Sequence, residues 1–177
     1  METAKRIQLL AMDVDGVLTD GGIMLGSNGE ELKVFNVRDG MGLSLIRQAG
    51  IRTAILTGRS SEPVRRRAEE LHITYCMQGL SDKKSALISL MEKESLDPEE
   101  VAYIGDDLND LGPMTAVGLS IAVGDAAPEV GAAAAYRCRA AGGKGAVREA
   151  VELILKAQER WDDLVDGMKD GKKAARQ

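Results

Sequence analysis

Short apolar runs and amphipathic stretches alternate along most of this chain. Runs dense in Ile, Leu, Val and Ala recur near residues 6–13, 51–56, 73–77, 101–105, 118–123 and 135–138. Apolar runs this short predict buried strands. Between them, stretches near 40–49, 61–71, 82–94, 108–115, 127–133 and 145–165 read as helices. Over 82–94, Ala86, Leu87, Leu90 and Met91 form one stripe at helical spacing. Val147, Val151, Ile154 and Leu155 do the same in the last helix, and Trp161 extends it as a packing residue. Strand and helix in turn predict an α/β fold, a doubly wound parallel sheet with helices on both faces.

One segment breaks the alternation. Gly22-Ile23-Met24-Leu25 and Glu31-Leu32-Lys33-Val34-Phe35 flank Gly26-Ser27-Asn28-Gly29-Glu30. Asn28-Gly29 is a strong turn signal, so a β-hairpin flap is expected at about 21–36. If exposed, its residues Ile23, Met24, Leu25, Val34 and Phe35 suit a subunit interface. The alternative is a hairpin folded on its own core. Between Thr57 and Lys83 there is room for one helix and one strand, not for a cap domain.

The candidate chemistry sits where strands end. Asp13 and Asp15 follow the first strand, and Gly16 permits a sharp turn. Residues i and i+2 of a strand point the same way. Two carboxylates so placed repel unless a cation or a proton lies between them. A lone Asp-x-Asp is most often an acidic surface turn. Here a second cluster, Gly105-Asp106-Asp107-Leu108-Asn109-Asp110, follows Val101-Ala102-Tyr103-Ile104. In a parallel sheet the C-terminal strand ends share one edge, where ligands collect. Asp13, Asp15 and Asp106 are therefore expected to converge on a hard cation, and oxygen donors suit Mg²⁺. The only histidine, His72, lies near a helix end, and no Cys/His cluster supports zinc.

Two more strand ends add to this set. Thr57-Gly58-Arg59-Ser60 offers a hydroxyl, a glycine and a helix start, a natural phosphate cradle. Ser60, three residues before Pro63, fits the helix start. Lys83, in Ser81-Asp82-Lys83-Lys84, opens the next helix and can neutralise both a phosphate and an attacking carboxylate. Taken singly, each is also an ordinary capped helix start. Gly142-Gly143-Lys144-Gly145 lacks P-loop spacing and reads as another helix start.

Composition narrows the partners. A chain of 177 residues is one domain by length, and 44% hydrophobic with 29% charged residues is ordinary for a soluble protein. The formal net charge of −5 argues against nucleic acid. No apolar run approaches the ~20 residues of a membrane span. Met1 to Arg6 lacks the apolar region of a secretory signal. Cys76 and Cys138 read as core thiols, so a cytoplasmic setting is expected. The domain is expected over 1–165, with 166–177 as a charged, disordered tail.

The ordered set Asp-x-Asp, Thr, Lys, Gly-Asp-Asp-x-x-Asp, each after a predicted strand, resembles the four motifs of the haloacid dehalogenase superfamily. The segments DVDGVLTDGGI, NGEELKVFNVRDGMG, LTGR, AYIGDDLND and GGKGAVRE resemble the 3-deoxy-D-manno-octulosonate 8-phosphate phosphatase family from Asp13 to Glu149. This resemblance implies a haloacid dehalogenase-like, Rossmannoid fold without a cap domain. It implies Mg²⁺-dependent hydrolysis of that sugar-acid phosphate through an aspartyl-phosphate, in lipopolysaccharide precursor synthesis. It also implies a homotetramer whose neighbouring subunits enclose the site.

At matching positions the resemblance assigns Asp13 as nucleophile and Asp15 as acid and base. Mg²⁺ is assigned to the side chains of Asp13 and Asp106 and the backbone carbonyl of Asp15. Thr57, Gly58 and Lys83 fall to the phosphoryl group, and Arg59 and Arg38 to the rest of the substrate. Asp107 and Asp110 are expected to orient Lys83 or a metal-bound water. Three rivals compete. A phospho-acceptor signalling domain carries its acceptor aspartate on a middle strand, but here that strand ends in Leu56-Thr57. A catalytically silent domain of the same fold needs no intact polar set. A phosphatase for a nonulosonate 9-phosphate is separated by Arg59, where such relatives tend to carry an acidic residue.

Overall fold

The computed structural model describes residues 2–169. A 3-10 turn, Thr3–Arg6, leads into β1 (Leu9–Met12), β2 (Met24–Leu25), β3 (Glu31–Leu32), α1 (Val37–Gln48), β4 (Arg52–Leu56) and α2 (Glu62–Glu70). Then follow β5 (Tyr75–Met77), α3 (Lys83–Glu94), β6 (Val101–Gly105), α4 (Leu111–Met114), β7 (Leu119–Ala122), α5 (Pro128–Ala133), β8 (Tyr136–Arg137), α6 (Ala146–Ala157) and α7 (Trp161–Lys169).

Six strands form one sheet in the order β5-β4-β1-β6-β7-β8. Every neighbouring pair is parallel, with Met12 between Ile55 and Ile104. Strands β1 and β6 are buried on both faces, as unbroken apolar runs require. The chain winds outward from β1 through β4 to β5, then returns to β6 on the other side. Right-handed crossovers then place helices on opposite faces. Helices α1 and α6 pack together on one face, and α3, α4 and α5 on the other. The reversal of winding falls between β1 and β6, where an open α/β sheet forms its ligand crevice.

Local signals explain the helix starts. The Asn36 side chain accepts from the Arg38 N–H, so α1 begins three residues before the apolar pattern suggests. The Asp82 side chain accepts from the Ser85 N–H at the start of α3. The cap of α2 is Ser61, not Ser60, and Pro63 occupies its second helical position. Helix α6 is capped from a distance: the buried Asp39 carboxylate accepts from the Gly145 and Arg148 N–H groups at 3.2 and 2.8 Å.

Several expectations are corrected. The first strand starts at Leu9, because Thr3–Arg6 coils into a 3-10 turn. The strand expected at 135–138 pairs only at Tyr136–Arg137. The helix expected over 145–165 breaks at 158–160, where Glu159 takes φ 57° and the Gln158 amide donates to the Ile7 carbonyl. A new helix runs from Trp161 through Lys169, so residues 166–169 are helical rather than tail. Residues 170–177, where the rest of the expected tail falls, lie outside the described residues. Cys76 is exposed on the edge strand β5, whereas Cys138 is buried. His72 is exposed just after α2. Trp161 packs beneath the Arg148 and Lys156 side chains.

The hairpin forms where Asn28-Gly29 predicts it. Met24 pairs with Leu32 and Leu25 with Glu31, and Gly29 takes φ +85° in the turn. Ile23, Met24, Leu25, Leu32 and Val34 are exposed. Phe35 departs from the expected outer face: it packs against the core, 5.9 Å beneath the Arg67 guanidinium.

Candidate active site

Asp13 extends the β1 ladder, donating its N–H to the Ile104 carbonyl at 3.1 Å. Its carboxylate therefore emerges beside the end of β6. Asp13 is only 5% exposed, and its Oδ2 accepts an ion pair from Lys83 Nζ at 2.7 Å. Lys83 also reaches Asp110 Oδ1 at 2.8 Å. Asp110 is wholly buried. Its Oδ1 accepts from the Tyr103 hydroxyl at 2.7 Å and its Oδ2 from the Asp106 N–H at 2.9 Å. One carboxylate thus sets the lysine and the backbone of the second acidic loop together.

Two glycines make this closeness possible. A Cβ on Gly105 would lie 2.4 Å from the Asp110 Cβ. Gly16, at φ +87°, brings its backbone so near Asp106 that a Cβ would fall 1.9 Å from Oδ2. A third contact locks the turn from behind. A Cβ on Gly142 would meet the Gly16 carbonyl oxygen at 1.8 Å, and the Gly143 N–H donates to the Val17 carbonyl at 2.9 Å.

Crowded carboxylates in a buried site resist ionisation. Burial first, then the Asp110 charge, pushes Asp13 up to about 6 against the pull of Lys83. Burial, Asp110 and Asp13 push Asp106 up to about 7. Burial alone draws Lys83 down, but Asp110 and Asp13 outweigh it, and the net shift is upward. Side-chain oxygens of Asp13, Asp106 and Asp110 lie within 4.8 Å of one another. Among the described residues, Asp13 Oδ1 and Asp106 Oδ1 are buried without any hydrogen-bond partner. Orphaned acceptors of this kind cost about 1–3 kcal/mol each. A hard cation between them satisfies both and relieves the repulsion. Asp110 has both oxygens committed elsewhere, which leaves that role to Asp13 and Asp106.

The Asp15 carboxylate stands apart from this cluster, contrary to the expected convergence of three carboxylates. It turns toward the hairpin, where Lys33 Nζ pairs with Oδ1 and Arg59 Nε lies 3.8 Å from Oδ2. Thr57 is buried at the end of β4, its N–H donating to the Met77 carbonyl and its own carbonyl accepting from the Leu80 N–H. Gly58 follows with Leu80 close against it. Arg59 is half-exposed and holds Glu31 at 3.2 Å. Asp107 is exposed and accepts from the Leu108 N–H; of the two, Asp110 is the one that bonds Lys83. Arg38 is exposed at the start of α1 and lines a separate hollow with Lys144, Arg148 and Glu149. Among the described residues it forms no ion pair.

Sequence reasoning passed over Glu31, Lys33, Tyr103 and Asp39. The signal for the first two was present in the strand period. Glu31 and Lys33 share one face of the hairpin, opposite Leu32 and Val34. A hollow of about 710 Å³ opens between the hairpin and α2, lined by residues including Leu32, Phe35, Ser61, Arg66 and Arg67. None of its lining residues belongs to the acidic cluster.

A parallel sheet with an acidic crevice at its winding reversal, and with Thr57 and Lys83 at the neighbouring strand ends, fits a hydrolase of the haloacid dehalogenase type. The chain matches the haloacid dehalogenase-like hydrolase family over residues 76–149. It is 51% identical over 163 residues to 3-deoxy-D-manno-octulosonate 8-phosphate phosphatase KdsC of Escherichia coli (strain B / BL21-DE3), covering 92% of this chain and 87% of the relative. Among solved structures, that phosphatase from Moraxella catarrhalis, in complex with magnesium ion, phosphate ion and KDO, superposes with a TM-score of 0.92. It is 47% identical, over 94% of this chain and 95% of that one. The Yersinia pestis enzyme gives a TM-score of 0.89 at 49% identity, over 90% and 86%. The chain belongs to the 3-deoxy-D-manno-octulosonate 8-phosphate phosphatase family.

Proposed function

We propose that this protein hydrolyses 3-deoxy-D-manno-octulosonate 8-phosphate to the free sugar acid and phosphate, with Mg²⁺ as cofactor. One observation carries the reading: the buried Asp13 carboxylate is paired with Lys83 on one oxygen and left unpartnered, facing Asp106, on the other. That is a nucleophile with a place for a cation beside it. The relative from Moraxella catarrhalis holds magnesium, phosphate and the sugar acid together, which supports the same ligands here.

Asp13 and Asp106 would hold the metal, with the Asp15 carbonyl as a third protein donor. Mg²⁺ supplies charge screening between the carboxylates and the incoming phosphate. An Asp13 oxygen attacks phosphorus, and the bond from phosphorus to the sugar oxygen breaks. Asp15 gives its proton to the departing alkoxide. It then takes a proton from the water that attacks the aspartyl-phosphate, releasing phosphate and restoring Asp13. Thr57 and Lys83 hold the phosphoryl oxygens. Arg59, half-exposed beside the site, offers its guanidinium to the substrate carboxylate.

One domain carries this reaction, and among the described residues it has no cap of its own. The exposed apolar face of the hairpin fits association with further copies of the chain, as a tetramer. No helix among the described residues is long and apolar enough to cross a membrane. A cytoplasmic enzyme acting on a small sugar acid is the setting we propose. The test is phosphate release across a panel: the octulosonate 8-phosphate, a nonulosonate 9-phosphate and neutral hexose phosphates, each with Mg²⁺ and with chelator. The octulosonate ester should lead on kcat/KM, and only with metal. Preference for the nonulosonate ester or for a neutral sugar, or full activity in chelator, overturns the reading.

A further inference from the structure

We propose that Lys33, on the hairpin, is a positioning residue that holds the Asp15 carboxylate in its working orientation. The inference rests on the reading of Asp15 as acid and base. Asp15 lies in a turn between Val14 and Gly16, the latter at φ +87°. Among the described residues, its carboxylate has only two partners, and neither belongs to its own loop. Lys33 pairs with Oδ1, and Arg59 Nε lies 3.8 Å from Oδ2. The direction of this side chain is therefore set from outside the turn.

The hairpin is built for that contact. Strand alternation sends Leu32 and Val34 outward, 61% and 63% exposed, and Glu31 and Lys33 inward. The Lys33 side chain is fully buried. An ammonium group is kept out of water only where carboxylates compensate it. Here Asp15 does so on one side and Glu31, at 3.4 Å, on the other. Glu31 in turn meets Arg59 at 3.2 Å. Asp15, Lys33, Glu31 and Arg59 close a ring of alternating charge that joins the catalytic turn, the hairpin and the loop after β4. The hairpin thereby becomes part of the catalytic apparatus, and Lys33 acts through Asp15 without touching phosphorus.

A double-mutant cycle tests this. Lys33→Met and Lys33→Arg are each made alone and in an Asp15→Asn background. Rates are followed on 3-deoxy-D-manno-octulosonate 8-phosphate and on p-nitrophenyl phosphate, with unfolding temperature and subunit mass measured alongside. Small misplacements of a reacting group cost up to about a hundredfold, so Lys33→Met should lower kcat roughly ten- to hundredfold on both esters with little change in KM. Lys33→Arg should recover most of that loss. With Asp15 already replaced, Lys33→Met should cost less than about twofold, because its effect has no route left. An equal loss in both backgrounds overturns the inference and makes Lys33 a structural residue. A loss confined to KM for the sugar-acid ester also overturns it and places Lys33 on the substrate. A wild-type protein inactive on the sugar-acid ester overturns the functional reading itself, a result distinct from either.

Discussion

The strand-end cluster and the hairpin meet at Asp15, and they are built on opposite plans. Asp13, Lys83 and Asp110 are nearly or wholly buried, anchored in strands and helix starts, and bonded to one another. The hairpin has two-residue strands, and it shows apolar side chains to solvent while turning its charges inward. The difference separates two tasks. Chemistry that must be right to within an ångström is placed on the sheet, where packing leaves little freedom. The contact to Asp15 is placed on an appendage that can vary without disturbing the sheet.

Four changes test that division. The largest effect is expected from Asp13→Asn, which removes the proposed nucleophile; phosphate release should fall by about four orders of magnitude or more while the fold survives. A nearly active variant would show that the cluster is not the seat of reaction. Next is Asp110→Ala. It leaves the buried Tyr103 hydroxyl and the Asp106 N–H without their acceptor and Lys83 with Asp13 alone, a loss of about 3–5 kcal/mol that denaturant unfolding will read. Full stability would mean that the cluster is not held by this residue.

The third change is metal removal, and its sign follows from the raised carboxyls. Asp13 and Asp106 ionise near 6 and 7 in the fold, against 3.8 as ordinary groups. The folded state therefore binds extra protons between about pH 4 and pH 7, and its stability falls as pH rises through that window. Mg²⁺ offsets this loss only where the carboxylates are charged. At a hundred times its Kd it should add about 2.7 kcal/mol at pH 8, and far less at pH 5. Thermal unfolding with Mg²⁺ and with chelator at both values checks the sign; a larger gain at pH 5 contradicts it. The smallest effect belongs to the hairpin's outer face. Leu25→Ser with Val34→Ser should move unfolding by no more than about 0.5 kcal/mol, yet lower the particle mass in sedimentation. A large stability loss without dissociation would make that face part of the fold.

The sheet and the four strand-end motifs were legible in sequence because their signals are local. Apolar runs mark β1, β4 and β6, and each is followed at once by its polar residue. What escaped depends on distant parts of the chain. Lys33 reads as a solvated charge in a short strand until Asp15 and Glu31 are seen around it. Asp39 looks like a first-turn acid of α1, and its task at the start of α6 emerges only from packing. The stripe over 145–165 continues across 158–160, while the break there is set by Gln158 reaching back to the Ile7 carbonyl. The exposure of Cys76 follows from β5 being an edge strand, which strand count along the chain does not reveal.

The fit of Gly142 against Gly16 has a consequence for the order in which the enzyme comes to life. Synthesis delivers Asp13 early and Asp106, Lys83 and Asp110 well before the glycine loop. A growing chain thus holds the whole acidic cluster while the turn between Asp13 and Val17 still lacks the backbone that clasps it. The hydrogen bond and close packing that hold the turn bearing Asp15 are complete only once residues 142–143 are in place. Turnover is then a report on the completed molecule, acquired with the loop between β8 and α6 and not with the acidic residues themselves.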